Sequence, residues 1–166
     1  RVSEGSPEPL GLTLDERGAN VAVFSAHASE IELCLFDASG KTEVERLRLP
    51  SRTGDVFHGH FEGISAGQRY GFRAHGPYEP RKGHRFNPAK LLVDPYALAL
   101  DRPFSLAPAM LGYQPGGPDA DLSFDATDSA ACMPKAVAIS PTAAGAGIAT
   151  RRPWSDTIIY ELHVRG

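Results

Sequence analysis

The sequence predicts an all-β fold: an immunoglobulin-like antiparallel β-sandwich with short helical insertions and an irregular C-terminal extension. Three observations lead there. Short runs alternate apolar and polar side chains with the period of two that half-buried strands need. Gly, Pro, Asp and Ser cluster between those runs. No helical apolar period separates them, as it would in a fold built from strand–helix–strand units.

Gly5 to Gly11, with Pro7 and Pro9, reads as an extended, proline-stiffened entry, and Asp15 to Gly18 as the turn that starts a strand over Ala19 to Ser25. Glu30 to Phe36 is the clearest strand: Ile31, Leu33 and Leu35 take one face and Glu30 and Glu32 the other, as a sheet with one solvated side requires. Ala38 to Lys41 is a tight turn, and Glu43 to Leu49 a more exposed return strand closed by Pro50. In the next strand Phe57, Gly59 and Phe61 alternate with Val56, His58 and His60. After a turn over Gly63 to Gly67, Tyr70, Phe72 and Ala74 alternate with Gly71, Arg73 and His75 until Gly76-Pro77 stops the strand.

Pro77, Pro80 and Gly83 forbid regular pairing through a polar excursion. Asn87-Pro88 then reads as a helix opening, with Asn87 as cap and Pro88 at the first helical position, giving a short helix over Ala89 to Val93 that Asp94-Pro95 ends. Ala97 to Leu100 and Lys135 to Ile139 read as short strands, separated by a proline- and glycine-rich excursion that has no core of its own and must pack on something else. Thr157 to Val164 is again apolar and strand-forming. The resulting division is a β-sandwich module over 10–100, an irregular extension over 101–140, a linker over 141–153 and a final run over 154–166.

With 166 residues, 42% apolar and 22% charged, the chain fits one domain of ordinary size plus an appendage. The net charge of -3 and the absence of a Lys/Arg run leave no footprint for nucleic acid or an anionic membrane, so neither is expected as a partner. No apolar stretch has the length of a membrane-spanning helix, and the first residues lack the basic-then-apolar pattern of a secretory signal. Cys34 and Cys132 show no CxxC spacing, which points away from a disulfide framework or a zinc knuckle and toward a reducing cytoplasm.

Four motifs carry a resemblance: Tyr70-Gly71-Phe72-Arg73, His75-Gly76-Pro77-Tyr78, Gly83-His84-Arg85-Phe86-Asn87-Pro88 and Leu91-Leu92-Val93-Asp94-Pro95-Tyr96. In this order and spacing they resemble the end of the N-terminal module of isoamylase-type glycogen debranching enzymes, a family 48 carbohydrate-binding module. The resemblance extends over most of Leu10 to Ile139. It resumes at Trp154, where Asp156 to Gly166 is similar to the first strand of the catalytic (β/α)₈ barrel of the α-amylase superfamily. Such a barrel needs ~250 residues, so the chain is expected to hold the N-terminal module and to lack the catalytic body. Glycogen-binding relatives of this module use tryptophans and a lysine on the sandwich. Here Ala19 to Ala97 contain no tryptophan, and Gly71 follows the strand tyrosine where those relatives carry the lysine.

Glycoside hydrolysis generally needs two carboxylates flanking the scissile bond. Asp119, Asp121, Asp125 and Asp128 fall in the irregular extension, where aspartates support turns, and no catalytic residue is assigned. The resemblance likewise puts the family's catalytic carboxylates beyond Gly166. His58 and His60 share a strand face without a third ligand at a telling spacing, so they read as exposed or cross-strand histidines, and neither metal nor cofactor is expected. Gly112 to Gly117 lacks the lysine–hydroxyl ending of a phosphate loop. Carbohydrate binding is the site chemistry that fits, because sugar rings present apolar C–H faces to aromatics and hydroxyls to polar side chains. The candidates are Tyr78, Phe86 and Tyr113, with Arg73, Arg85 and His84 as hydrogen-bonding neighbours, each aromatic being weighed against a plain core role.

These readings converge on a noncatalytic N-terminal module of a cytoplasmic enzyme that hydrolyses α-1,6-glucosidic branch points in glycogen catabolism. Its expected partners are glycogen or another branched α-glucan and its own catalytic barrel. The alternatives are a module of a glycogen branching or trehalose-releasing enzyme, a free-standing glycan-binding module, and a noncatalytic protein-interaction sandwich.

Overall fold

The computed structural model describes residues 1–140 and 153–161. Its strands are β1 (Val2–Ser3), β2 (Gly11–Leu14), β3 (Gly18–Phe24), β4 (Glu30–Phe36), β5 (Glu43–Arg48), β6 (Ser51–Thr53), β7 (Val56–Glu62), β8 (Arg69–His75), β9 (Tyr78–Glu79), β10 (His84–Arg85) and β11 (Ala136–Val137). They form an antiparallel sandwich. One sheet runs β1-β7-β3-β2, with β6 also on β7, and the other runs β11-β8-β4-β5. A separate hairpin, β9–β10, stands beyond the end of β8.

The alternation of the strands builds the core. Ile31, Leu33 and Leu35 of β4 meet Tyr70 and Phe72 of β8 and Ala19, Val21, Phe57 and Phe61 of the facing sheet. Burial of apolar side chains at ~25 cal/mol per Å² is the main force holding the two sheets together.

The outer faces depart from the simple picture of one solvated side, because chain segments outside the sheets cover them. On β4, Cys34 and Phe36 are buried against Leu91 and Ala130 of the later chain. Burial, with Glu43 nearby, pushes the Cys34 thiol up to about 12. On β7, His58 and His60 are buried rather than exposed. The N-terminal segment, the β2–β3 turn and β6 supply their partners: His58 Nδ1 lies 2.9 Å from the Glu4 carbonyl and its Nε2 2.9 Å from Thr53 Oγ1, while His60 Nε2 lies 2.8 Å from Asp15 Oδ2.

The expected helix over Ala89 to Val93 is absent. Asn87 does cap a turn, its Oδ1 accepting the Ala89 N–H at 3.0 Å and its carbonyl accepting the Lys90 N–H at 3.0 Å. The chain then goes extended, and Leu92 exchanges both backbone hydrogen bonds with Phe72, at 2.7 and 2.8 Å, on the β8 edge beside β11. This path buries Leu91 against the outer face of the sheet. The helical insertions are 3₁₀ turns at Pro80–Lys82, Pro108–Met110, Ala120–Leu122 and Trp154–Asp156.

Two further expectations fall short of full strands. Leu100 makes a single bridge to Ala136, and Lys135 to Ile139 narrows to β11. Of the strand expected over Thr157 to Val164, the described residues 157–161 are not in a ladder, and the remainder lies outside the described residues, as does nearly all of the expected linker 141–153. Among the described residues no helix is long and apolar enough to cross a membrane.

Candidate ligand-binding cavity

A cavity of about 790 Å³ opens between the β9–β10 hairpin and the irregular extension. Tyr78, His84 and Arg85 of the hairpin, Phe86, Lys90 and Leu92 just after it, Tyr113 and Asp121 of the extension, and His27 from the β3–β4 loop all line it. Two glycines shape the approach. Gly83 ends the Pro80–Lys82 turn at φ +86°, a left-handed conformation that an L side chain resists, and so reverses the chain into β10. Gly76 lies under the Phe86 ring, where a β-carbon would stand 2.6 Å from ring atoms.

The cavity walls are fastened to each other. Tyr78 donates its hydroxyl to the Ser123 carbonyl and meets Phe124 edge to face at 4.8 Å. Arg85 donates to the Asp121 carbonyl and, at 3.0 Å, to its carboxylate. Asn87 Nδ2 donates to the Asp125 carbonyl at 2.8 Å. Lys90, buried, donates to the Thr127 carbonyl at 2.7 Å, the Ala109 carbonyl at 2.9 Å and Asp125 Oδ2 at 3.1 Å. The Thr127 hydroxyl and N–H, then Lys90, hold the Asp125 carboxyl below its ordinary range. Asp121 and Asp125 are thus engaged in supporting the extension.

Other polar groups at the cavity remain uncommitted. The Tyr113 hydroxyl and the ring nitrogens of His27 and His84 have no hydrogen-bond partner among the described residues. The two imidazoles meet edge to face at 4.8 Å. Aromatic walls with free donors and acceptors at the rim suit a ligand with apolar faces and hydroxyl edges.

Five of the six sequence-derived candidates, Tyr78, His84, Arg85, Phe86 and Tyr113, therefore share one cavity. Arg73 does not join them. It points to the outer face of β8, is 1% exposed, and lies beneath the extension, donating to Glu43 Oε2 at 2.9 Å, Asp128 at 3.0 Å and the Pro88 carbonyl at 2.8 Å. Sequence reasoning missed His27 and Lys90. His27 sits in a short loop with no local signal, and Lys90 was hidden by the helical reading of its segment.

Residues 9–97, more than half of the chain, match the model of carbohydrate-binding module 48 (isoamylase N-terminal domain). The chain is 46% identical over 170 residues to the glycogen debranching enzyme of Yersinia enterocolitica, covering 99% of this chain and 24% of that protein. It is 46% identical over 167 residues to the glycogen debranching enzyme of Salmonella typhi, covering 100% of this chain and 24% of that protein. The chain thus spans about a quarter of the length of these curated relatives. Among solved structures, the catalytic module of the multi-modular glycogen-degrading pneumococcal virulence factor SpuA shares the fold, with a TM-score of 0.53 at 17% identity over 84% of this chain and 17% of that one. From the family match over residues 9–97, which cover the strands of both sheets but β1 and β11, and the likeness of essentially the whole chain to a quarter of these relatives, it follows that the chain belongs to the carbohydrate-binding module 48 (isoamylase N-terminal domain) family.

Proposed function

We propose that this noncatalytic N-terminal module serves a cytoplasmic glycogen debranching enzyme that hydrolyses α-1,6-glucosidic branch linkages in glycogen metabolism. The observation that carries this reading is the match of essentially the whole chain to about a quarter of proteins named glycogen debranching enzyme. Catalysis then belongs to a barrel outside this chain, against which the module packs. The extension over 101–140 serves as the platform that closes the cavity.

Within that role the cavity is the glycan contact, and the contact is weak. Leu91 lies against Gly71, and Cys34 and Phe36 are covered, so the part of the outer β4–β8 face around these residues is already occupied by protein. A glucan chain therefore meets the module at Tyr78, Phe86 and Tyr113, with His84 and Arg85 at the rim. Affinity electrophoresis of the 166-residue chain in glycogen gels tests this. Slight retardation that Tyr113→Ala abolishes supports the reading, and strong retardation unchanged in Tyr113→Ala and Phe86→Ala overturns it.

A further inference from the structure

We propose that Glu30, Glu32 and His75 form a binding site for a zinc-class divalent cation on the outer face of the β4–β8 sheet. This inference is independent of the glycan reading. Glu30 and Glu32 lie two residues apart on β4 and so project from one face, and the strand register sets His75 of β8 directly opposite Glu30. One ligand atom from each of the three lies within 4.8 Å of the others. His75 Nε2 is 2.8 Å from Glu32 Oε2 and 4.0 Å from Glu30 Oε1. Ligands about 2.0–2.2 Å from a tetrahedral zinc stand roughly 3.4 Å apart, so side-chain rotations alone close the set around an ion. One imidazole with two carboxylates suits zinc and its first-row neighbours, whereas calcium and magnesium prefer all-oxygen sites.

Arginines neutralise the same carboxylates and define the competition. Arg48 Nε lies 3.1 Å from Glu30 Oε2, and Arg46 lies 3.7 Å from Glu32 Oε2 but only 2.7 Å from Glu43. An arriving cation leaves Arg46 its Glu43 partner and releases Arg48, 68% exposed, to water. The third nearby guanidinium, Arg73, is held by Glu43 and Asp128. The site sits where β4 begins, just after the loop that carries His27, and where β8 ends, just before Gly76 under Phe86. A bound ion would tie together the two strand ends that border the cavity.

Titration calorimetry and thermal unfolding with zinc chloride at about pH 7.5 test the proposal. A Cys132→Ser background removes the part-exposed thiol as a competing ligand. The expected result is one saturable site and a rise in Tm. His75→Ala and Glu32→Gln should each weaken binding by more than the ~10–100-fold that loss of a merely supporting group costs. Arg48→Ala, which keeps every ligand and removes a competitor, should tighten it, and His84→Ala should leave it unchanged. Absence of saturable uptake, uptake indifferent to His75→Ala, or weaker uptake in Arg48→Ala would overturn the proposal.

Discussion

A β-carbon at Gly71 would stand 3.0 Å from both Cγ and Cδ1 of Leu91 and 3.0 Å from the Leu92 carbonyl oxygen. That oxygen accepts the Phe72 N–H at 2.8 Å, so it is held in place by backbone pairing and cannot easily yield. Gly71→Ala should therefore destabilise the fold by about 1–3 kcal/mol, the usual cost of overpacking. Gly71→Lys should do more and lift residues 87–94 off β8, which limited proteolysis would detect as a new cut. Urea unfolding of Gly71→Ala with an unchanged midpoint would contradict this packing.

Arg73 predicts a pH dependence. Burial pushes the Glu43 carboxyl up, but hydrogen bonds from Arg46 and Arg73 outweigh it and hold the group below its ordinary range. Burial likewise opposes the lowering at Asp128, which the Ala130 N–H and Arg73 impose. A carboxyl whose folded pKa lies below its unfolded one stabilises fully above the unfolded value of about 4, and that contribution is lost as pH falls through the folded value. Tm should accordingly drop more steeply below about pH 5 in the wild type than in Arg73→Met. At neutral pH the substitution should cost about 2 kcal/mol, less than the ~3–5 typical of a fully buried pair, because Asp128 stays 60% exposed.

Tyr113 and Tyr78 should behave differently when truncated. Tyr78 bonds Ser123 and packs on Phe124, so Tyr78→Ala should loosen the hairpin and lower Tm along with any glycan retention. The Tyr113 hydroxyl has no such tie among the described residues, so Tyr113→Ala should lose retention with Tm nearly unchanged. Parallel gel electrophoresis and thermal unfolding separate the two.

How far this was legible depended on whether the governing contacts were local. Ile31, Leu33 and Leu35 announce β4 by alternation because one face of a strand must be apolar, and the same rule exposes β3, β7 and β8. The path of Leu91 and Leu92 was not legible, because Asn87-Pro88 opens a helix and a capped turn with the same residues. The choice was made by Gly71, distant in sequence, whose missing side chain admits Leu91. The cavity was partly legible: Tyr78, His84, Arg85 and Phe86 lie close together in sequence, and Tyr113 shares their aromatic character. Arg73 was misplaced because a strand arginine looks solvent-facing until the extension that covers it is known, and His27 reaches the cavity only through folding.

The segment after Pro153 should be dispensable for folding. Among the described residues 153–161 the hydrogen bonds are local, such as Asp156 N–H to the Pro153 carbonyl at 3.0 Å, and Ile158, Ile159 and Tyr160 are exposed. Deleting 153–166 should leave Tm unchanged and reduce self-association seen by light scattering, since an exposed apolar run invites pairing. Loss of cooperative unfolding would show that the run is integral to the sandwich.

The most direct test of the central claim, a noncatalytic module of a debranching enzyme, is reducing-end release from glycogen. It should be measured for the purified 166-residue chain and for the same chain continued to the length of its relatives. The account predicts no release by the short chain and release of α-1,6-linked branches by the long one. Release by the short chain that disappears on mutating Asp121 or Asp125 would contradict it.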